Sequence, residues 1–218
     1  VKTLGAELSS LPNVRLMTRT TVFGQFDGGT FGLVERVADH KLEPDPYEPR
    51  QRYIVLRASR VVIATGAIER PIPFGDNDKP GVMLAGAVRG YLNRYGVITG
   101  RRAVVFTSND GAFQTALDLK AAGAAVTLVD ARPLDGATVK RLEGRGLAVH
   151  AGHAVAQATG GQAVTGAVIA PFDAATGNCT GGFTRIVCDL IAVSGGYDPQ
   201  LHLSTHKGGA KPVWNATL

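Results

Sequence analysis

The residues of this chain whose types and spacing could do chemistry begin in one run, Arg60 to Pro71, RVVIATGAIERP. Val61, Val62, Ile63 and Ala64 are too few for a helix and predict a strand buried on both faces. Thr65 and Gly66 end it. A glycine at the carboxyl end of a parallel strand lets the backbone-hugging part of a ligand come close without meeting a Cβ. The chemistry implied is the holding of a dinucleotide at a strand end, at Thr65 and Gly66. Glu69 and Arg70 follow as charges beside that edge, which an internal ion pair or an exposed turn explains as well as catalysis does.

A second candidate is Thr107-Ser108-Asn109-Asp110-Gly111-Ala112, which stands where a GxGxxG phosphate loop is expected. Thr107 and Asn109 replace its first two glycines and put side chains where a pyrophosphate would press on bare backbone. Asp110 adds a carboxylate in the first helical turn, with the wrong sign for a phosphate site. An N-cap role for Asn109 or Asp110 is the reading preferred over nucleotide binding. Asp130 ends the next strand about 20 residues on, where an acid would hold a ribose 2′-hydroxyl and select NAD over NADP. The pairs His150/His153 and His202/His206 lie on a strand-turn and before Gly208-Gly209, poor settings for a metal. There is no GxSxG, HExxH or P-loop, so no residue here is assigned a catalytic role.

These groups need elements to position them. Leucines at 4, 8 and 11 predict an amphipathic helix stopped by Pro12-Asn13. Val14–Met17, Thr20–Phe26 and Phe31–Val37 read as strands, the last two joined by the turn Asp27-Gly28-Gly29. His40–Arg50 is a loop and Tyr53–Ala58 a strand. Leu84 to Tyr95 is a helix closed by Gly96. Arg102–Phe106, Asp110–Ala122 and Ala125–Val129 form a strand, a helix and a parallel strand, right-handed by geometry. A helix at Gly136–Arg145 and strands at Leu147–His150, Ala154–Thr159, Ala163–Pro171, Phe183–Val187 and Leu190–Val193 follow. The pattern helix, strand, hairpin, glycine-ended strand occurs twice, with ATGAIERP set against VSGGYDP. Only the second copy is preceded by its own strand-helix unit, so an upstream strand and glycine loop are expected outside this chain, as is more sequence beyond the loop around Trp214.

The fold class expected is α/β with two Rossmann-like, three-layer dinucleotide-binding halves, the first incomplete. The first domain takes residues 1–98 with 190–218. The second takes 99–189 and carries a β-meander. The 218 residues are 44% apolar and 19% charged and hold 28 glycines, which suits many tight strand-to-helix turns. The 23 basic and 18 acidic residues are scattered, which argues against a nucleic-acid partner. No apolar run approaches the roughly 18 residues of a membrane span and the first residues lack a signal-peptide block, so a cytoplasmic protein is expected. Cys179 and Cys188, in neither a CxxC nor a finger spacing, read as reduced, incidental thiols.

From Leu11 to Asp130 the segments LPNVRLMTRTTVFG, GLVERVADH, VVIATGAIERPIPF, DNDKPGVMLAGAVRGYLNRYGV and RRAVVFTSNDGAFQTALDL closely resemble the α subunits of heterotetrameric sarcosine oxidases. CDLIAVSGGYDPQLHL continues the resemblance more weakly. Subunits of related amine and cyanide-forming dehydrogenases share the ATG segment, but SND in place of glycines points to the sarcosine oxidase side. The resemblance implies a glutathione-reductase-like fold. It also implies a complex that oxidises sarcosine to glycine with O2 as acceptor and passes the one-carbon unit to tetrahydrofolate. The α subunit would carry NAD, and FAD and FMN would belong mainly to a β-type partner subunit and its contact with α. By the same resemblance Thr65, Gly66 and Ala67, with Ala64 before them, flank the dinucleotide. Thr21 and Val22 sit near its adenine by main-chain contact, and Arg70 faces its phosphates. This chain alone is not expected to turn over sarcosine. Two rival readings remain: a stand-alone NAD(P)H-dependent flavin reductase, and a non-catalytic nucleotide-fold docking scaffold.

Overall fold

The structure, a computed structural model, describes residues 2–206. Gly208-Gly209 and the loop around Trp214 lie outside the described residues. Contacts divide the chain into two units, Val1–Gly66 with the chain from Pro199 onward, and Ala67–Asp198.

The first unit opens with α1 (Lys2–Ser10) and continues into a three-stranded antiparallel meander, β1 (Thr20–Phe26), β2 (Thr30–Arg36) and β3 (Gln51–Arg57), in that order across the sheet. Gly28, at φ 67°, makes the tight turn between β1 and β2 possible. Phe31 and Leu33 on β2 form the buried part of this sheet. The structure departs from expectation at two places here. Val14–Met17 is irregular rather than a strand, and Arg60–Ala64 is neither a strand nor interior. Val61, Val62 and Ile63 are 48%, 91% and 39% exposed. The physical reason is common to both segments: a strand exists by its ladder, and neither has a partner strand among the described residues. Leu4, Leu8 and Leu11, the expected apolar stripe of the first helix, are exposed as well.

The second unit holds the main core. It begins with β4 (Ala67–Glu69), β5 (Val82–Leu84) and α2 (Ala85–Tyr95), which Gly96 closes in the left-handed conformation at φ 69°. Then come β6 (Arg102–Thr107), α3 (Gly111–Ala121), β7 (Ala125–Asp130), α4 (Gly136–Glu143) and β8 (Ala148–Ala151). A meander of β9 (His153–Thr159), β10 (Gly166–Asp173), β11 (Asn178–Cys179) and β12 (Thr184–Ile186) leads to β13 (Leu190–Ser194) and β14 (Tyr197–Pro199), which pairs with β4. The chain then enters the short α5 (His202–Thr205) of the first unit.

Five strands form a parallel sheet in the order β5-β13-β6-β7-β8. Alternation along these strands separates two cores. Ala103, Val105, Val126, Leu128, Leu190 and Ala192 face Ala85, Val88, Ala116 and Leu119 of the helices, while Val104, Phe106, Val129, Ile191 and Val193 face Val155, Ala167 and Ile169 of the meander. The result is three layers, helices, parallel sheet and antiparallel meander, a Rossmann-like unit. The expected β6-α3-β7 unit is present and parallel. Strands β5 and β13 differ from the expected grouping: sequence order placed Leu84 and Leu190–Val193 with the first domain, yet both strands are laid into this sheet. Parallel pairing brings together strands far apart in the chain, and continuous apolar runs fit either sheet, so local sequence could not assign them.

Candidate functional site

In the first unit a cavity of about 590 Å³ is lined by Thr21 and Val22 of β1 together with Ala64 and Thr65, beside Phe31 and Leu56. Four of the seven residues expected at the dinucleotide thus line one space. The Thr65 hydroxyl donates to the Gln200 carbonyl at 2.8 Å, and Gln200 N–H donates to the Gly66 carbonyl at 2.9 Å, which fixes the end of the run. Gly66 has φ 73°, with nothing within 4 Å of where a Cβ would stand, so its approach side is open. The cavity's size and small, apolar walls fit an adenosine-sized group; among the described residues Arg60 is its only charged lining residue. Ala67 and Arg70 belong to the second unit. Arg70 lines a different cavity of about 600 Å³ there, walled by Phe74, Phe106, Phe172 and Phe183. Its Nε lies 3.4 Å from Asp198 Oδ2, and both side chains are more than 60% exposed, a weakly held ion pair.

Glu69 has a structural role that its sequence setting did not reveal. Its Oε2 accepts the Gly86 N–H at 2.7 Å, so it caps the first turn of α2, while its Oε1 is buried without a partner. Tyr197 is held above the ordinary tyrosine range, by burial first and then by the Glu69 charge.

In the second unit β6 is flanked by β13 on one side and β7 on the other, so the carboxyl ends of β6 and β13 form the switch point where open parallel sheets bind ligands. The loop there is tied by its own side chains. Thr107 Oγ1 accepts from Asn109 N–H at 3.0 Å and donates to the Asn109 carbonyl at 2.9 Å. Asn109 Oδ1 accepts the Gly111 N–H at 2.9 Å, and its Nδ2 donates across the switch point to the Ser194 carbonyl and hydroxyl at 3.1 and 3.0 Å. Asn109 is therefore the residue that caps α3. Asp110 makes no capping bond; it accepts from Arg132 Nη2 at 2.7 Å.

Arg132 was not singled out from sequence, although a base two residues after a strand-end acid was the available signal. Asp130 is wholly buried. Its Oδ1 accepts from Arg132 N at 2.9 Å and Nε at 3.1 Å, and its Oδ2 from Nη2 at 2.9 Å. Asp130, and more weakly Asp110, hold the guanidinium in its charged form against partial burial.

The remaining candidates do not gather into a site. His150 and His153 have ring centroids 5.6 Å apart, and His150 is pushed below the usual range by burial and by its neighbour. His206 Nδ1 accepts from Gln25 N–H. No group of three metal-ligating side chains occurs among the described residues. Cys188 is buried and its thiol pushed up to about 11, mainly by burial, whereas Cys179 is half-exposed and lines the aromatic cavity. Among the described residues no helix is long and apolar enough to cross a membrane.

The layered unit with its switch point defines the class: a Rossmann-like three-layer fold. Bacillithiol disulfide reductase from Bacillus cereus superposes with a TM-score of 0.61 at 17% identity, over 95% of this chain and 59% of that one. A NAD-dependent persulfide reductase from A. fulgidus gives 0.60 at 20% identity, over 91% and 35%. These likenesses concern the fold alone. Along the sequence, the chain is similar to sarcosine oxidase subunit alpha, as the motifs imply. It is 46% identical over 211 residues to the subunit from Rhizobium meliloti (strain 1021), which is 96% of this chain and 20% of that protein. To the subunit from Corynebacterium sp. (strain P-1) it is 37% identical over 214 residues, 98% of this chain and 22% of that protein. The chain thus spans about a fifth of the length of these relatives. No protein-family model matches it.

Proposed function

We propose that this chain is the dinucleotide-carrying part of an α-type subunit in a cytoplasmic, heterotetrameric oxidoreductase complex that oxidises sarcosine. In that complex O2 is the acceptor, the one-carbon unit passes to tetrahydrofolate, and a β-type subunit contributes flavin as FAD and FMN. The site for NAD is the cavity of the first unit, and the observation that carries this is the convergence of Thr21, Val22, Ala64 and Thr65 on one space of adenosine size. NAD supplies, when bound, a nicotinamide able to accept hydride. The chain's own residues bind and orient it. The backbone at Thr21 and Val22 reads the adenine edge, Ala64 and Thr65 flank the ribose, and Gly66 admits close approach. Similarity to the sarcosine oxidase α subunits supports the wider assignment.

Calorimetric titration of the chain with NAD, NADP and FAD tests the reading. NAD is expected to bind, and Ala64→Trp, which fills the cavity, is expected to abolish binding. Undiminished NAD affinity in Ala64→Trp would overturn the assignment of the site. The scaffold reading is favoured for the second unit by the tied loop at Thr107–Asp110, and the same loop disfavours a stand-alone flavin reductase.

A further inference from the structure

We infer that the switch-point cleft of the second unit is closed to dinucleotides by its own side chains, with Asn109 and Asp110 as the two latches, the second through its ion pair with Arg132. This concerns the second unit alone and stands whether or not NAD binds in the first.

A dinucleotide on such a unit needs three things: free N–H groups at the start of the helix after the first strand, bare backbone across the switch point, and a reachable acid at the end of the second strand. Each is consumed here. The Gly111 N–H, at the first helical position of α3, is already donated to Asn109 Oδ1. A Cβ on Gly111 would stand 3.2 Å from the Tyr197 ring, so a side chain also overhangs this position. The crossing itself is spanned by the Asn109 amide bonded to Ser194 at two atoms, and Ser108 N–H adds a third bond to the Ser194 carbonyl at 3.2 Å. The acid is out of reach: Asp130 is wholly buried, and both of its oxygens accept from Arg132.

Arg132 could have served as an anion anchor instead, but Asp110 holds that place. Its carboxylate takes Nη2 at 2.7 Å while Asp130 takes Nη2 and Nε from the other side. An internal carboxylate thus stands where a ligand phosphate would compete for the guanidinium, and a phosphate arriving here meets the negative charge of Asp110 first. The arrangement places one guanidinium between two carboxylates, so the guanidinium needs no ligand anion and the surplus charge of the cluster is negative.

Hydrogen exchange of the 218-residue chain with and without NAD, and separately NADP, reads the two units independently by peptide. In the parent chain, amides of 107–112 and 130–132 are expected to show no change with either nucleotide, whatever happens at 20–22 and 64–66. In Asn109→Gly/Asp110→Ser, which removes the bridge to Ser194 and the competing carboxylate, NAD at ~100 times its Kd is expected to slow amides of 107–112 by up to about a hundredfold. The single variant Asp110→Ser, at a side chain that is 79% exposed, serves if the double variant does not fold, and is expected to show the same protection at higher NAD concentration. Protection of 107–112 in the parent would overturn the inference. So would its absence in the folded variants, because the latches would then not be what excludes the ligand.

Discussion

Replacing Arg132 by methionine keeps the aliphatic stem and removes the guanidinium. Asp130 retains the bond from the backbone N–H of residue 132 but loses the two from Nε and Nη2, and its carboxylate remains fully buried without a counter-charge. Removing one partner of a fully buried pair costs about 3–5 kcal/mol, but here the Arg132 side chain is 39% exposed, so solvent already screens part of the interaction. A loss of about 2–3 kcal/mol follows, which in a unit of this size lowers the melting temperature by about 10 °C. Thermal denaturation followed by circular dichroism at neutral pH reads the loss, with Arg132→Met/Asp130→Asn expected to recover part of it. A deficit below about 2 °C would refute the assignment of Arg132 as the partner that makes burial of Asp130 tolerable.

Two further outcomes are expected. Cys188, buried and with its thiol pushed up to about 11, should resist iodoacetamide at pH 8 in the folded chain, whereas half-exposed Cys179 should alkylate; mass spectrometry of tryptic peptides separates them, and equal labelling would contradict the burial. Leu119 of α3 is wholly buried among helix and sheet residues, so Leu119→Ala should cost about 2–5 kcal/mol in urea denaturation, and a cost under about 1 kcal/mol would mean that the helix layer is not packed as described.

The β6-α3-β7 segment of the second unit was legible because its signals are local and redundant. The apolar run of β6, the glycine after α3 and the acid ending β7 each point to the same element, and the parallel pairing of β6 with β7 bears this out. The capping function of the degenerate loop was legible too, since Asn109 in that position offers an amide to the first free N–H groups. The partner of Asp130 was not. A strand-end acid is read as a ribose acceptor until it is known to be buried, and burial depends on where residue 132 sends its side chain. Glu69 was unreadable for a similar reason: it caps a helix that begins 16 residues later, a contact that only β4 and its pairing with β14 bring about. The run at Arg60–Ala64 shows the converse limit, because its apolar composition predicts burial but says nothing about which strands would pair with it.

That run also bears on how the proposed NAD site works. Val61, Val62 and Ile63 have the composition of a core strand, yet Val62 is 91% exposed and no strand pairs with the segment among the described residues. A ligand site at a strand end takes its rigidity from the ladder behind it, since fixing each backbone residue into one conformation costs about 1–2 kcal/mol. Without the ladder, the Thr65–Gln200 and Gln200–Gly66 bonds hold the end of the run, and binding must meet the cost of ordering the rest. The relatives are about five times as long as this chain, so a segment able to pair with Val61–Ile63 and pre-order Ala64–Gly66 would raise NAD affinity without touching the nucleotide. At the proposed NAD site, affinity would therefore depend on strand pairing as much as on contact. At the second unit it is set by Asn109, Asp110 and Arg132, whose bonds are complete without any ligand.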